Sequence, residues 1–587
     1  MKTTRCAVPT LVVVCVLAVF ALLPAGATAQ TPTPVAPVPN PCPRMAAGDV
    51  VHNPPALYST NGVLSVRLSY QQTTDSVGRL LHCFMTDTGI EQPTLHVNPG
   101  DTLNIIVTNN TPPQPYGERY SAPNCGSTTV QFTPPANGIA STGASTNLHF
   151  HGTNVTPACG GDNVTRTLIN PANNPANPGD VSTFQYSFTI PANEPPGLYW
   201  YHPHVHGLAE RDLLGGATGA LVVDGIQNVQ PAVSGLRERF IVLRDQPQLQ
   251  GLAEGPGNCG ENVPFQDLTV NYVPVDSNAT FNSGGKLTNI NFTPAVLDMA
   301  PGETQFWRVV NSAADTIIDL QVLYDGVPQT LQIVAIDAVP VNSQEGTQPG
   351  QLIPVTHYRL PVAGRVEFLV KAPSSNAKVA QLVTNNINTG PQGDCDPTRP
   401  IFNIQLSTDS AEAADNNVGS FSALSTTHQR FAGASTASVS TTRTFQFSEI
   451  QPSQFFITQV SAGQQPMVFD ANNPPAVVTT QGAVERWNVQ NIAQENHEFH
   501  MHQIHFKVLS QDNFEANGAQ QAPAINGQFL DMIEVPFWTG KKNVPIPQVE
   551  LLMDFQGMDI GDFVYHCHIL SHEDLGMMQI IRVNPAN

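Results

Sequence analysis

The sequence predicts an all-β fold of three related β-sandwich domains, and three observations carry the prediction. The chain has 587 residues, and at about 150 residues per domain that length allows three or four. Its 51 prolines and 44 glycines suit many short strands and turns better than long helices. A short pattern then recurs three times: residues 99–109 (PGDTLNIIVTN), 301–311 (PGETQFWRVVN) and, more weakly, 482–491 (GAVERWNVQN). Each copy sets a Gly nine residues before an Asn, with alternating apolar residues between, the signature of a turn feeding a half-buried strand.

Along the chain, Lys2 and Arg5 precede an apolar run over 11–23 and the small residues Ala27 and Ala29. This reads as a signal peptide over 1–29, cleaved after Ala29, so the protein is expected in the periplasm or secreted. The run is too short for a membrane span, and no other segment reads as one. Residues 30–45 are Pro-rich and predict an extended leader outside any core. The repeats place the domains at 46–226, 227–421 and 444–587, with a Ser/Thr/Ala-rich linker over 422–443. Charged residues make up only 12% of the chain, hydrophobic ones 41%, and the net charge is −21. That leaves apolar material for large cores and excludes a nucleic-acid partner, which requires a basic footprint.

Seven cysteines follow the signal peptide: Cys42, Cys83, Cys125, Cys159, Cys259, Cys395 and Cys567. Six can form three bridges in an oxidising compartment. Proximity pairs Cys125 with Cys159 and Cys259 with Cys395, and Cys567, flanked by two histidines, is the odd one.

Twelve of the 17 histidines fall in four clusters: His149 and His151; His202, His204 and His206; His497, His500, His502 and His505; and His566, His568 and His572. Alternate residues of a strand point to one face, so each H-x-H pair can reach one metal site. Neutral imidazole suits borderline ions. Cys567, His572 and Met577 or Met578, joined by His497, supply a thiolate, two imidazoles and a thioether. Structural zinc sites do not use a thioether; this donor set is that of blue copper. If Cys567 faces one side of a strand, His566 and His568 face the other, which links a thiolate-bound copper to a second metal centre.

These residues resemble the multicopper oxidases, in particular laccase-like bacterial members with three cupredoxin domains of Greek-key topology. The family's motifs HxHG, HxH, HxxHxH and HCHx3Hx4M occur in order, and the repeats extend the resemblance from about residue 46 to the C-terminus. The resemblance implies four copper ions per chain. Blue copper would take His497, Cys567 and His572, with Met577 preferred as the axial ligand. A single copper of the trinuclear cluster would take His149 and His500. One member of a coupled pair would take His151, His202 and His568, the other His204, His502 and His566. His206 and His505 are left to support ligands or sit at the surface.

The implied chemistry is one-electron oxidation of small phenols or aromatic amines coupled to four-electron reduction of dioxygen to water. Reduced copper, iron or manganese ions and bilirubin are alternative donors, and a non-catalytic copper carrier is disfavoured by the complete ligand set. Proton supply calls for carboxylates, and Asp162 and Glu573 are the candidates. Sequons stand at Asn109, Asn154, Asn163, Asn278 and Asn291, read as coincidence in an Asn-rich chain.

Overall fold

The computed structural model describes residues 32–120, 125, 139–172, 181–248, 263–284, 287–342, 350–374, 377–407, 430–460, 465–517, 525–557 and 559–586. The signal-peptide reading and Cys259 lie outside these residues. The architecture is three β-sandwiches of the cupredoxin kind. The first packs a four-stranded sheet on a five-stranded one, the second an eight-stranded on a six-stranded sheet, and the third a six-stranded on a five-stranded sheet. Among the described residues, helices are confined to short turns such as Ala209–Leu214 and Leu570–Asp574.

The three sequence repeats become the same strand in each sandwich. Thr102–Asn109, Thr304–Asn311 and Val484–Asn491 each pair in parallel with the first long strand of their domain and antiparallel with a later one. Their terminal asparagines explain why Asn recurs there. The amide Nδ2 of Asn109 donates to Ala144 O and Ile169 O, that of Asn311 to Thr316 O, and that of Asn491 to Glu495 O and Val535 O. In each case Oδ1 accepts the N–H two residues on, at Thr111, Ala313 and Ala493. This is an Asx turn that leads the chain off the strand and pins a neighbouring loop. The last two repeats also share a buried Trp, at 307 and 487, whose indole N–H bonds the residue two before it.

Three expectations need correction or completion. The leader is not outside the core: Val35 and Cys42 are buried, Val35 N–H donates to Thr108 Oγ1 at 2.9 Å, and Cys42 is bridged to Cys83. An apolar valine and a cystine supply the burial that prolines alone do not. The stretch 422–443 is not all linker, because Thr441–Ile450 is a strand of the third domain; Ser/Thr-rich composition does not distinguish a half-exposed strand from a loop. Cys125 and Cys159 are bridged as expected. Cys395 is disulfide-bonded, and its expected partner Cys259 lies outside the described residues. Cys567 is the free cysteine among the described residues.

The first and second domains meet where the strand Gly197–His202 crosses the turn after Leu331–Ile336. A Cβ at Gly197 would overlap the backbone of Ala338, so only glycine lets these two backbones pass. Gly197→Ala should therefore destabilise the protein by about 1–3 kcal/mol, the usual cost of overpacking; denaturant unfolding of the variant measures it.

Candidate metal centre

The strand His149–His151 forms the edge of the five-stranded sheet of the first domain and pairs with Gly197–His202, in the register His149 opposite His202. In the third domain, His497–Met501 pairs with Gly561–Cys567, in the register His500 opposite His566 and Phe499 opposite Cys567. The alternation of these strands sorts the ligand candidates. Side chains of one parity gather eight histidines into a nest between the first and third domains. Cys567, of the other parity, meets His497 and His572.

In the nest, His149, His151 and His202 offer nitrogens within 4.8 Å of one another, as do His149, His500 and His502, and His204, His502 and His566. His566 Nε2 lies 3.2 Å from His204 Nε2 and 3.1 Å from His502 Nε2. The His568 ring lies 5.0 Å from that of His151 and 5.5 Å from that of His202. All eight are buried. Burial, and then the neighbouring imidazoles, hold them below the ordinary imidazole range, with His566 lowered to about 4. They are neutral, as metal ligands must be.

Their outer nitrogens are tied down. His149 Nδ1 bonds Asp162 at 2.8 Å, His202 Nδ1 bonds Pro203 O at 2.7 Å, His500 Nδ1 bonds Asp531 O at 2.8 Å, and His566 Nδ1 bonds Cys567 O at 2.9 Å. The opposite nitrogens of His149, His202 and His500, and both of His568, are buried without a partner. A buried set of neutral imidazoles, four of them fixed by an acceptor behind the ring and gathered in overlapping groups of three, fits metal ions and little else.

The second centre is smaller. Cys567 Sγ lies 3.8 Å from His497 Nδ1 and 3.7 Å from His572 Nδ1, and these two nitrogens are 3.1 Å apart. The short helix Leu570–Asp574 turns the chain back so that His572 faces the sulfur. Glu498 N–H donates to Sγ at 3.3 Å. Burial opposes ionisation of the thiol, but His497 and His572 outweigh it and bring it down to about 6. Met577 is buried in the same core as Cys567, whereas Met578 packs with Val164, Phe469 and Val564. Met578 stands opposite His566 in the sheet, so Met577, of the other parity, lies on the Cys567 side.

The proposed acids also find places. Asp162 accepts from His149, from Phe150 N–H and from Gln503 Nε2. Burial pushes it up to about 7 despite those bonds. Glu573 is buried with neither carboxylate oxygen hydrogen-bonded, 3.7 Å from His206 Nδ1. Burial would raise it, but His204, His206 and His566 prevail and hold it below the carboxylate range. Of the two unassigned histidines, His206 is half-buried beside Phe469 and His505 is fully buried, bonded to Asp337 O.

Several partners of the site carried no sequence signal. His572 Nε2 contacts Glu495 at 2.8 Å, and His497 Nε2 faces Glu449 at 3.6 Å. Asp531 and Arg365 stand behind the nest. Glu495, two residues before His497, was the one within reach of a local search.

Comparisons with known proteins agree with this geometry. Profiles of the multicopper oxidase family match residues 137–228 and 437–587, the segments that carry the nest and the thiolate centre. A laccase from Bacillus subtilis is 20% identical over 407 residues, covering 67% of this chain and 71% of that one. A laccase from Bacillus stratosphericus is 28% identical over 120 residues (18% and 22%), and a multicopper oxidase from Staphylococcus aureus 33% over 103 (17% and 20%). The matches to these last two thus span about a fifth of their length. Among solved structures, a multicopper oxidase from Aquifex aeolicus superposes with a TM-score of 0.61 at 17% identity, covering 92% of this chain and 99% of that one. A multicopper oxidase from Campylobacter jejuni, described as a metallo-oxidase, gives 0.56 at 18% identity (92% and 95%). With this fold, and with both metal-binding segments matched, the chain belongs to the multicopper oxidase family.

Proposed function

We propose that the chain is an exported, laccase-like copper oxidase. It takes single electrons from small phenols or aromatic amines at the Cys567 centre and delivers them to the histidine nest, where dioxygen becomes water. The observation that carries this reading is the placement of Cys567 between His566 and His568. The sulfur belongs to one centre and both neighbours to the other, so the path between centres is covalent and crosses a single peptide bond. The hydrogen bond from His566 Nδ1 to Cys567 O adds a second route. Four bound copper ions would supply the four one-electron stores that reduction of one dioxygen to two waters consumes.

The ligand assignment is the one the family resemblance implies. His497, Cys567 and His572, with Met577, would hold the blue ion. His149 and His500 would hold a single ion; His151, His202 and His568, and His204, His502 and His566, would hold a pair. Asp162 keeps the Nδ1 proton of His149 in place and, with an acid near 7, exchanges protons at neutral pH. Glu573 faces His204 and His566 beside a small cleft lined by Val164, Leu168, Val205, His206 and Phe469, a way for protons and water to reach the nest. The gathering of all these ligands favours catalysis over copper carriage.

One observation favours a second class of donor. The outer edges of both blue-site imidazoles face carboxylates, Glu495 on His572 and Glu449 on His497. Such an edge attracts a reduced metal cation more readily than a neutral phenol. Oxygen uptake by the copper-loaded enzyme, with phenols, bilirubin and ferrous, manganous or cuprous ions in parallel, decides between them. Turnover confined to metal ions, lost in Glu495→Gln, overturns the phenol reading; no uptake with any donor overturns the oxidase itself.

Two further outcomes are expected. Asp162→Asn should slow dioxygen reduction by about 10²-fold, the lower range for a lost acid–base group, while the thiolate charge-transfer colour persists; stopped-flow reoxidation measures both. Copper uptake by the metal-free blue site requires the Cys567 proton to leave. Its apparent affinity should therefore fall by at least about tenfold per pH unit below about 6 and keep rising above it, because His497 and His572, held above the ordinary imidazole range, must also lose their protons; the growth of the coloured band reads it.

A further inference from the structure

Asp531 is buried in the loop entering the strand Met532–Val535 and lies outside every ligand motif. Its carboxylate accepts from His151 Nε2 at 3.2 Å and faces His505 Nε2 at 3.4 Å. Its backbone carbonyl accepts from His500 Nδ1 at 2.8 Å. One residue thus touches a histidine assigned to the pair and a histidine assigned to the single ion. With Nε2–H donated to Asp531, His151 can offer the nest only Nδ1, which is buried without a partner.

A bare carboxylate at this depth would be costly, and its counter-charge comes from the domain that holds no copper ligand. Arg365, on the strand Arg365–Lys371, binds Asp531 with both guanidinium arms, Nη1 to Oδ1 at 2.6 Å and Nη2 to Oδ2. Arg365 also donates to Leu198 O at 3.3 Å and Ala363 O at 3.2 Å. Asp337, in the same domain, accepts the Arg365 N–H at 2.9 Å and the N–H groups of Asp531 and Met532 at 3.2 and 3.1 Å. The pair also accounts for the glycine of the first histidine motif. Gly152 has φ +82°, and a Cβ there would overlap both Arg365 Nη2 and Asp531 Oδ2.

We infer that Asp531, charge-balanced by Arg365 of the middle domain, is a positioning residue that fixes His151 and His500 in the orientation the nest requires. This rests on the copper-oxidase reading above. The third domain supplies the carboxylate, the second its counter-ion, and the first the ring being oriented, so the nest forms only when all three domains are docked.

The test uses the full-length, copper-loaded protein and its variants Asp531→Asn, Arg365→Lys and His505→Gln. Chelator competition gives the affinity for cupric ions, paramagnetic resonance reports the single nest copper, and the thiolate band reports the blue site. Asp531→Asn should weaken the nest for copper by about 10–100-fold, as loss of a ligand's hydrogen-bond partner does, and alter that resonance while the thiolate band stays. Arg365→Lys, which keeps the charge but loses the fork, should shift both in the same direction by less. Wild-type affinity and resonance in Asp531→Asn, or parallel loss of the thiolate band, overturn the inference. If Asp531→Asn fails to fold, His505→Gln leaves both charges paired and must still shift the resonance; an unchanged signal there overturns it. Failure of the function reading is separately visible, as wild-type protein that binds no copper in the nest.

Discussion

Alternation at one strand end organises this molecule. Because successive side chains leave a strand on opposite sides, Cys567 and its two neighbours are committed to different places the moment Gly561–Cys567 pairs with His497–Met501. Everything else brings partners to those two places. The helix turn over Leu570–Asp574 returns His572 to the sulfur side, and the edge strand His149–His151 with the end of Gly197–His202 closes the imidazole side from another domain.

The two centres differ in how their donors are held. In the nest, burial keeps the imidazoles neutral, and acceptors behind several of the rings (carbonyls for His202, His500 and His566, a carboxylate for His149) choose which nitrogen is free. At Cys567 the same burial is outweighed by opposite charge, so the thiol is lowered while its imidazole partners are raised. The nest thus presents donors that are already neutral, whereas at the Cys567 centre an entering metal ion must displace protons from the raised imidazoles. The middle domain, which supplies none of the proposed ligands, contributes charge through Arg365 and Asp337.

Much of this was legible in the chain. Period-two histidines, the lone cysteine among them and the thrice-repeated strand are local patterns, and local patterns survive in a sequence; the Asn that closes each repeat proved to be the same turn in all three domains. Illegible were contacts between residues far apart with no characteristic spacing. Asp531 meets Arg365 across 166 positions, Glu449 approaches His497 from a different strand, and Cys42 finds Cys83 rather than a near neighbour. The leader was misjudged for a related reason: composition reports the prolines, but a single buried Val35 and a cystine decide where the segment lies.

The buried Asn109 has a consequence for the host in which the protein is made. Its side chain is fully enclosed and all its polar atoms are engaged, yet Asn109-Asn-Thr111 is an acceptor triplet for oligosaccharide transfer. In a eukaryotic secretory pathway the sugar would be attached to the nascent chain before that enclosure exists. The amide would then be too bulky to enter its turn, and the first sandwich could not close. Bacteria without that machinery never meet the conflict, and the triplet can persist in them unopposed.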